Sequence, residues 1–189
     1  HNYPFSPLRK FIEKKLEKKV LQNANALTTV SDGFVDKLKN LHQKEFVYSV
    51  KNAFDPDYYK EIISLASKFT ITYTGQIYKQ QDPCKILTAI SELIEENEIV
   101  KDDFELRFYG TQNPRVNQLV ETLQLERFVK YYGTVGHKEM PKIQMESHIL
   151  LIFNWEDKRE KNCYPLKVFE YLGAKRNIMA TGGHGKDAI

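Results

Sequence analysis

Phe69-Thr70-Ile71-Thr72-Tyr73-Thr74-Gly75 is the stretch on which the fold turns. β-Branched and aromatic residues favour a strand, and the closing glycine lets the chain turn tightly. The same arrangement returns in Phe104-Glu105-Leu106-Arg107-Phe108-Tyr109-Gly110 and in Phe128-Val129-Lys130-Tyr131-Tyr132-Gly133. After each strand the apolar period becomes helical. Ile86, Leu87, Ile90 and Leu93-Ile94 mark the first helix, Arg115 to Leu125 the second and Lys138 to Glu146 the third. Ser147 to Phe153 is a strongly apolar strand, as expected of a sheet centre covered on both faces. Asn177-Ile178-Met179-Ala180 makes the last strand. Alternating strands and helices predict an α/β, doubly wound parallel sheet with right-handed crossovers. In such sheets ligands bind beyond the carboxyl ends of the strands. The loops after Gly75, Gly110 and Gly133 are therefore where chemistry is expected.

Toward the N-terminus, Pro7 to Asn25 reads as a helix in which Leu8, Ile12, Leu16 and Val20 recur every four residues. Its basic residues are interleaved with Glu13 and Glu17 one turn apart, as on a solvated helix. Ala26 to Val30 is a short strand. Ser31-Asp32-Gly33 caps the next helix, through Phe34, Leu38 and Leu41. Phe46 to Val50 is another strand, broken by Lys51-Asn52-Ala53-Phe54-Asp55-Pro56.

Bulk properties exclude several classes of function. The 189 residues are 41% hydrophobic and 28% charged, with a net charge of only +3, against a dedicated nucleic-acid binder. No apolar run is long enough to cross a membrane. The two cysteines, Cys84 and Cys163, lie far apart without a C-x-x-C, and are read as reduced thiols of a cytosolic protein. The five histidines lack ligand spacing, so no metal is expected. There is no G-x-S-x-G, no H-E-x-x-H and no G-x-G-x-x-G after a strand. Gly182-Gly183-His184-Gly185-Lys186-Asp187 fails as a phosphate loop, because Asp187 stands where a magnesium-binding hydroxyl is needed. A first residue of His, and an end just past a strand, lead us to expect a piece of a longer protein.

The segment Asn162-Cys163-Tyr164-Pro165-Leu166-Lys167-Val168-Phe169-Glu170-Tyr171-Leu172-Gly173-Ala174 is more informative. Pro165 suits the first turn of a helix. Helical spacing puts Pro165, Val168, Phe169 and Leu172 on one face, expected to pack on the sheet. Lys167, Glu170, Tyr171 and Ala174 fall on the other. The helix N-terminus and Lys167 would suit a phosphate, and Glu170 a vicinal diol such as a ribose. A plain surface Lys–Glu pair explains the same residues.

Four segments together resemble the C-terminal half of a retaining GT-B glycosyltransferase of the group 1 family. Tyr73 to Pro83 is similar to the first strand and its phosphate-side loop, and Leu106 to Gly110 to the second strand. Val129 to Met140 resembles the V-x-F-x-G-x-V-x-x-x-E-L segment. Asn162 to Ala174, running into Ile178 to Thr181, resembles the E-x7-E region. Ala26 to Asp55 is similar to the end of the N-terminal domain, with Asn52-Ala53-Phe54-Asp55 at the place of the N-G-x-D linker. The resemblance implies a Rossmann-like donor domain over residues 56–189. Residues 1–55 would be a short remnant of the acceptor-side domain and linker.

The resemblance further implies a hexosyltransferase-type enzyme that moves a sugar from a nucleoside diphosphate to an acceptor hydroxyl with retention, needing neither metal nor cofactor. Its catalytic positions are Asn162 and Glu170; Asn162 stands where the family has the first glutamate. Implied donor-binding residues are Gly75, Gln76, Lys79 and Gln81 of the first loop, and Gly133, Thr134 and Val135 of the loop that meets the base. Cys163, Tyr164, Pro165, Lys167 and Glu170 complete them. Gln76 and Gln81 replace a customary Arg and Lys, with Lys79 and Lys167 as nearby compensating cations. Implied partners are a nucleotide-sugar donor and a glycan or lipid-linked acceptor, with no nucleic acid. The setting is glycan biosynthesis in the cytoplasm, with peripheral contact at the inner membrane face. This length alone is expected to bind weakly and turn over little. Two alternatives stay open: a non-catalytic GT-B-like binding or scaffold protein, and a sugar-nucleotide epimerase of GT-B-like fold.

Overall fold

A computed structural model describes residues 5–100, 102–155 and 164–183. It divides into two compact units, residues 1–52 and 53–189. In the first unit, helix α1 (Pro7–Asn23) starts where the Ser6 hydroxyl accepts from Arg9 N at 3.3 Å. Strand β1 (Leu27–Thr29) pairs in parallel with β2 (Val47–Ser49), across helix α2 (Asp32–His42). Ser31 caps α2 as expected, accepting from Phe34 N. Polar contacts tie α1 to the end of α2 and the turn after it. Glu17 meets His42 Nε2 at 3.2 Å, and Lys44 Nζ donates to the carbonyls of Gln22 and Ala24 at the end of α1. The stripe Leu8, Ile12, Leu16 and Val20 stays exposed, and α1 buries no residue.

The second unit opens with a 3-10 turn, Pro56–Tyr59, capped by the Asp55 carboxylate. Then come β3 (Phe69–Thr74), α3 (Cys84–Glu95), β4 (Phe104–Tyr109), α4 (Pro114–Thr122) and β5 (Val129–Gly133). They are followed by α5 (Met140–Glu146), β6 (Ile149–Phe153), α6 (Leu166–Ala174) and β7 (Asn177–Thr181). All strand pairs are parallel, in the order β5-β4-β3-β6-β7. The chain thus builds outward from β3 in one direction, then returns to β3 and builds in the other. The reversal lies between β3 and β6, the place at which doubly wound sheets take their ligands.

Strand alternation divides the core between the two faces. Ile71 and Tyr73 of β3, with Leu151 and Phe153 of β6, pack against Ile86, Leu87 and Ile90 of α3. Val116 and Val120 of α4 complete that side. Leu150 and Ile152 face the other way, onto Met145, Tyr171 and Ala174 of α5 and α6. On this second side β3 presents Thr70, Thr72 and Thr74, all buried and all hydrogen-bonded. Thr70 Oγ1 meets His148 Nδ1 at 3.2 Å, Thr72 Oγ1 accepts from Ser147 at 2.7 Å, and Thr74 Oγ1 lies 3.1 Å from the Tyr171 hydroxyl. A threonine is tolerated there because each hydroxyl finds a partner.

Helix α6 is rotated from the orientation its apolar residues suggest. Tyr171, Gly173 and Ala174 are buried, whereas Leu172 is exposed and Val168 and Phe169 are only partly covered. The reason is the Tyr171 hydroxyl. It accepts from Thr74 N at 3.2 Å and reaches Leu151 O at 3.3 Å. Between β3 and β6 the paired register is Ile71 with Ile149 and Thr72 with Leu150, so this phenol serves Thr74 beyond those pairs. An aromatic ring with a polar tip fills this position better than leucine does. Pro165 stands one residue before the helix, as its extended N-cap.

Candidate functional site

The carboxyl edge of the sheet is lined by backbone. Gly75, Gly110 and Gly133 end β3, β4 and β5 with φ of +107°, +132° and +72°. Gly75 N donates to Tyr109 O at 2.7 Å, and Gly110 N to Gly133 O at 2.8 Å, so the three turns lie side by side. A Cβ on Gly110 would run into the Gly75 carbonyl, 2.8 Å from its carbon and closer still to its oxygen. Only glycine permits that approach.

Lys167 brings a charge to this edge. From the first turn of α6 its side chain crosses to the β3 loop, where a Cβ on Gly75 would meet its Nζ at 3.0 Å. The ammonium stands 4.9 Å from the centre of the Tyr73 ring, a cation–π contact. Burial lowers its pKa, opposed by the nearby negative charge of Glu170. Among the described residues no hydrogen-bond acceptor or ion-pair partner reaches it. A partly desolvated cation without an acceptor, beside an open backbone turn, favours an incoming anion. Glu170 lies one turn further along α6. Its Oε2 accepts from Gln144 Nε2 at 3.1 Å, and Gln144 Oε1 accepts from the Tyr59 hydroxyl at 2.8 Å.

The other expected residues divide clearly. Gln76 and Lys79 are exposed on the loop after Gly75, where the Tyr73 hydroxyl donates to Gln76 O at 2.8 Å. Gln81 is buried instead. Its Nε2 donates to Phe153 O at 2.7 Å and its Oε1 accepts from Tyr78 N at 3.0 Å, so its amide pins this loop to the end of β6. Asn113 holds the loop from the other side, donating to Ile77 O while it caps α4. Thr134 is exposed and Val135 half-buried in the turn after Gly133. In the same turn Gly136 N donates to Glu139, and the His137 ring stacks on Tyr58 at 5.7 Å. Tyr164 is half-buried, its ring 6.4 Å from Phe169. Asn162 and Cys163 lie outside the described residues. Among the described residues no group of three metal-ligating side chains converges, and no helix is long and apolar enough to cross a membrane.

The residues that sequence reasoning missed are Tyr58, Tyr59 and Gln144. Tyr59 and Gln144 are 85 positions apart and meet only in the fold. The turn segment that ends at Asp55-Pro56 lies just before Tyr59 but does not indicate what that residue would meet.

Comparison with known proteins finds no matching family model and no matching curated protein. Solved structures do match. Anabaena HepE in complex with UDP and glucose is 13% identical with a TM-score of 0.65, over 85% of this chain and 45% of HepE. WaaG, a glycosyltransferase involved in lipopolysaccharide biosynthesis, is 15% identical with a TM-score of 0.65, again over 85% and 45%. Sucrose-phosphate synthase from Thermosynechococcus elongatus is 12% identical with a TM-score of 0.66, over 89% and 44%. The chain therefore spans less than half the length of these structures. What the match establishes is architecture: this chain carries the α/β, Rossmann-like fold of the GT-B glycosyltransferases.

Proposed function

We propose that this chain is the donor-binding part of a glycosyltransferase, which holds a nucleoside-diphosphate sugar for transfer to an acceptor hydroxyl with retention. The observation that carries the reading is the Lys167 ammonium, partly desolvated, without an acceptor among the described residues, and set against the Gly75 turn at the carboxyl end of β3. A diphosphate at that turn receives the ammonium and the backbone amides of the loop. Gln76 and Lys79 add donors from the exposed side. Glu170 accepts from the ribose hydroxyls, and the Gly133–Val135 turn meets the base. Tyr164 and Pro165, with Asn162 and Cys163, border the sugar. Transfer rests on positioning and on stabilising the departing diphosphate. The fold's likeness to structures that contain UDP supports this.

The transferred group is proposed to be a hexose. The acceptor is a glycan or lipid-linked hydroxyl, presented by a protein longer than this chain in the cytoplasm and at the inner membrane face. Residues 1–55 are proposed to belong to the acceptor side. A second reading, a GT-B-like binding protein without transfer, draws on Gln81, whose amide is engaged within the fold where a clamp cation is customary.

Calorimetric titration with UDP, GDP and ADP tests the donor site and names the base. Lys167→Met keeps the aliphatic stem and removes the charge. Loss of a charge-assisted hydrogen bond worth ~1.5–3 kcal/mol predicts affinity falling by about 10- to 150-fold. Unchanged affinity would refute the assignment of Lys167. Tight binding without turnover by the full-length protein would favour the second reading.

A further inference from the structure

Glu170 is held from behind by a side-chain chain. Gln144 on α5 is fully buried, bonded through Oε1 to Tyr59 and through Nε2 to Glu170. A buried amide can face its neighbours in two ways. A carboxylate only accepts, and a phenol that keeps its proton can donate, so one orientation satisfies both. Burial, and then the charge of Glu170, push the Tyr59 pKa up to about 12, which keeps that proton in place. Tyr59 is itself confined. Its ring stands edge-on to Phe54 at 5.5 Å, and Phe54 lies on Gly173 so closely that a Cβ there would come within 2.7 Å of the ring.

We propose that Tyr59 and Gln144 are positioning residues that aim the Glu170 carboxylate, so that Oε1, without a hydrogen bond among the described residues, faces the ribose hydroxyls of the donor. The inference rests on the donor-site reading of α6. Neither residue touches the ligand. They act by removing the freedom of the one carboxylate that does, and preorganisation of this kind appears as discrimination between ligands. A purely structural chain would instead affect stability, or all ligands alike.

The test is calorimetric titration of the 189-residue chain with UDP, GDP and ADP, then with the 2′,3′-dideoxy counterpart of the one that binds. The natural chain is expected to bind the dideoxy ligand about tenfold more weakly, because Glu170 loses its partners. Glu170→Ala removes that ratio. Tyr59→Phe keeps the ring against Phe54 and removes one oxygen. It is expected to cut the ratio to about threefold or less while leaving dideoxy affinity unchanged. Gln144→Leu shifts the ratio in the same direction; should it fail to fold, Tyr59→Phe decides alone. If Glu170→Ala abolishes the ratio and Tyr59→Phe retains it, the positioning role is overturned and the donor site stands. If Glu170→Ala leaves the ratio intact, the ribose role of Glu170 and the positioning role fall together; if no nucleotide binds, the donor-site reading falls with them.

Discussion

Gly110→Ala should damage the second unit far more than Gly133→Ala, although both glycines end strands with positive φ. At Gly133 a new methyl meets nothing within 4 Å, so the cost is the backbone preference alone. A non-glycine residue at positive φ costs ~1–2 kcal/mol. At Gly110, φ is +132° and the methyl would clash with the Gly75 carbonyl oxygen. That backbone region is nearly closed to side chains and costs ~1–3 kcal/mol. The contact is with backbone, so no rotamer relieves it, and the β3 and β4 turns must part. Parting strains the bonds Gly75 N to Tyr109 O and Gly110 N to Gly133 O, each worth ~0.5–1.5 kcal/mol. Together these give about 2–6 kcal/mol for Gly110→Ala, with a midpoint ~2 kcal/mol beyond that of Gly133→Ala. Urea unfolding followed by far-UV circular dichroism reads the difference, with equal slopes required for the comparison. Two variants of equal stability would show that the turns do not abut as described, and the backbone floor of the proposed donor site would fall with that geometry.

The packing sets three further outcomes. Tyr171→Phe leaves Thr74 N without its partner and should cost ~1–3 kcal/mol, and a cycle with Thr74→Val in urea unfolding should show coupling. His148 Nδ1 accepts from Thr70 N, which requires the neutral ring, and burial, then Arg176 and Arg107, lower its pKa. A base whose folded pKa lies below its unfolded value stabilises above the unfolded value, near 6.5, and loses that contribution as pH falls. His148→Gln should therefore flatten the decline of stability below neutral pH, read as Tm against pH. Burial likewise lowers the Lys167 pKa, whereas a bound diphosphate favours its charged form. Nucleotide affinity should thus weaken on the alkaline side, beginning at lower pH than for an ordinary lysine, and Lys167→Met should remove that dependence from the titrations.

Much of the architecture was legible in local pattern. The strands at Phe69, Phe104 and Val129 announce themselves by composition and by their closing glycines, and the helices between them by period. Ser31 could be recognised as a cap because capping needs only a hydroxyl and the next three residues. The orientation of α6 was not legible. Counting apolar residues assigned Leu172 to the core and Tyr171 to the outside, yet the hydroxyl of Tyr171 has three partners on β3 and β6. Gln81 misleads in the same way. Its position in the loop resembles a phosphate-binding place, but the amide reaches Phe153, 72 residues away.

By itself, then, the sequence determined a parallel α/β sheet, the strand ends where its turns fall, and Lys167 and Glu170 one helical turn apart. Those features depend on neighbours within a few residues, where period and backbone preference act. Only the tertiary structure decided which way α6 faces and that Lys167 lies against Gly75 without an acceptor among the described residues. It alone joined Tyr59 and Gln144 behind Glu170. Each of these is set by which buried polar group finds a partner, and such partners are brought together by the sheet order rather than by the chain.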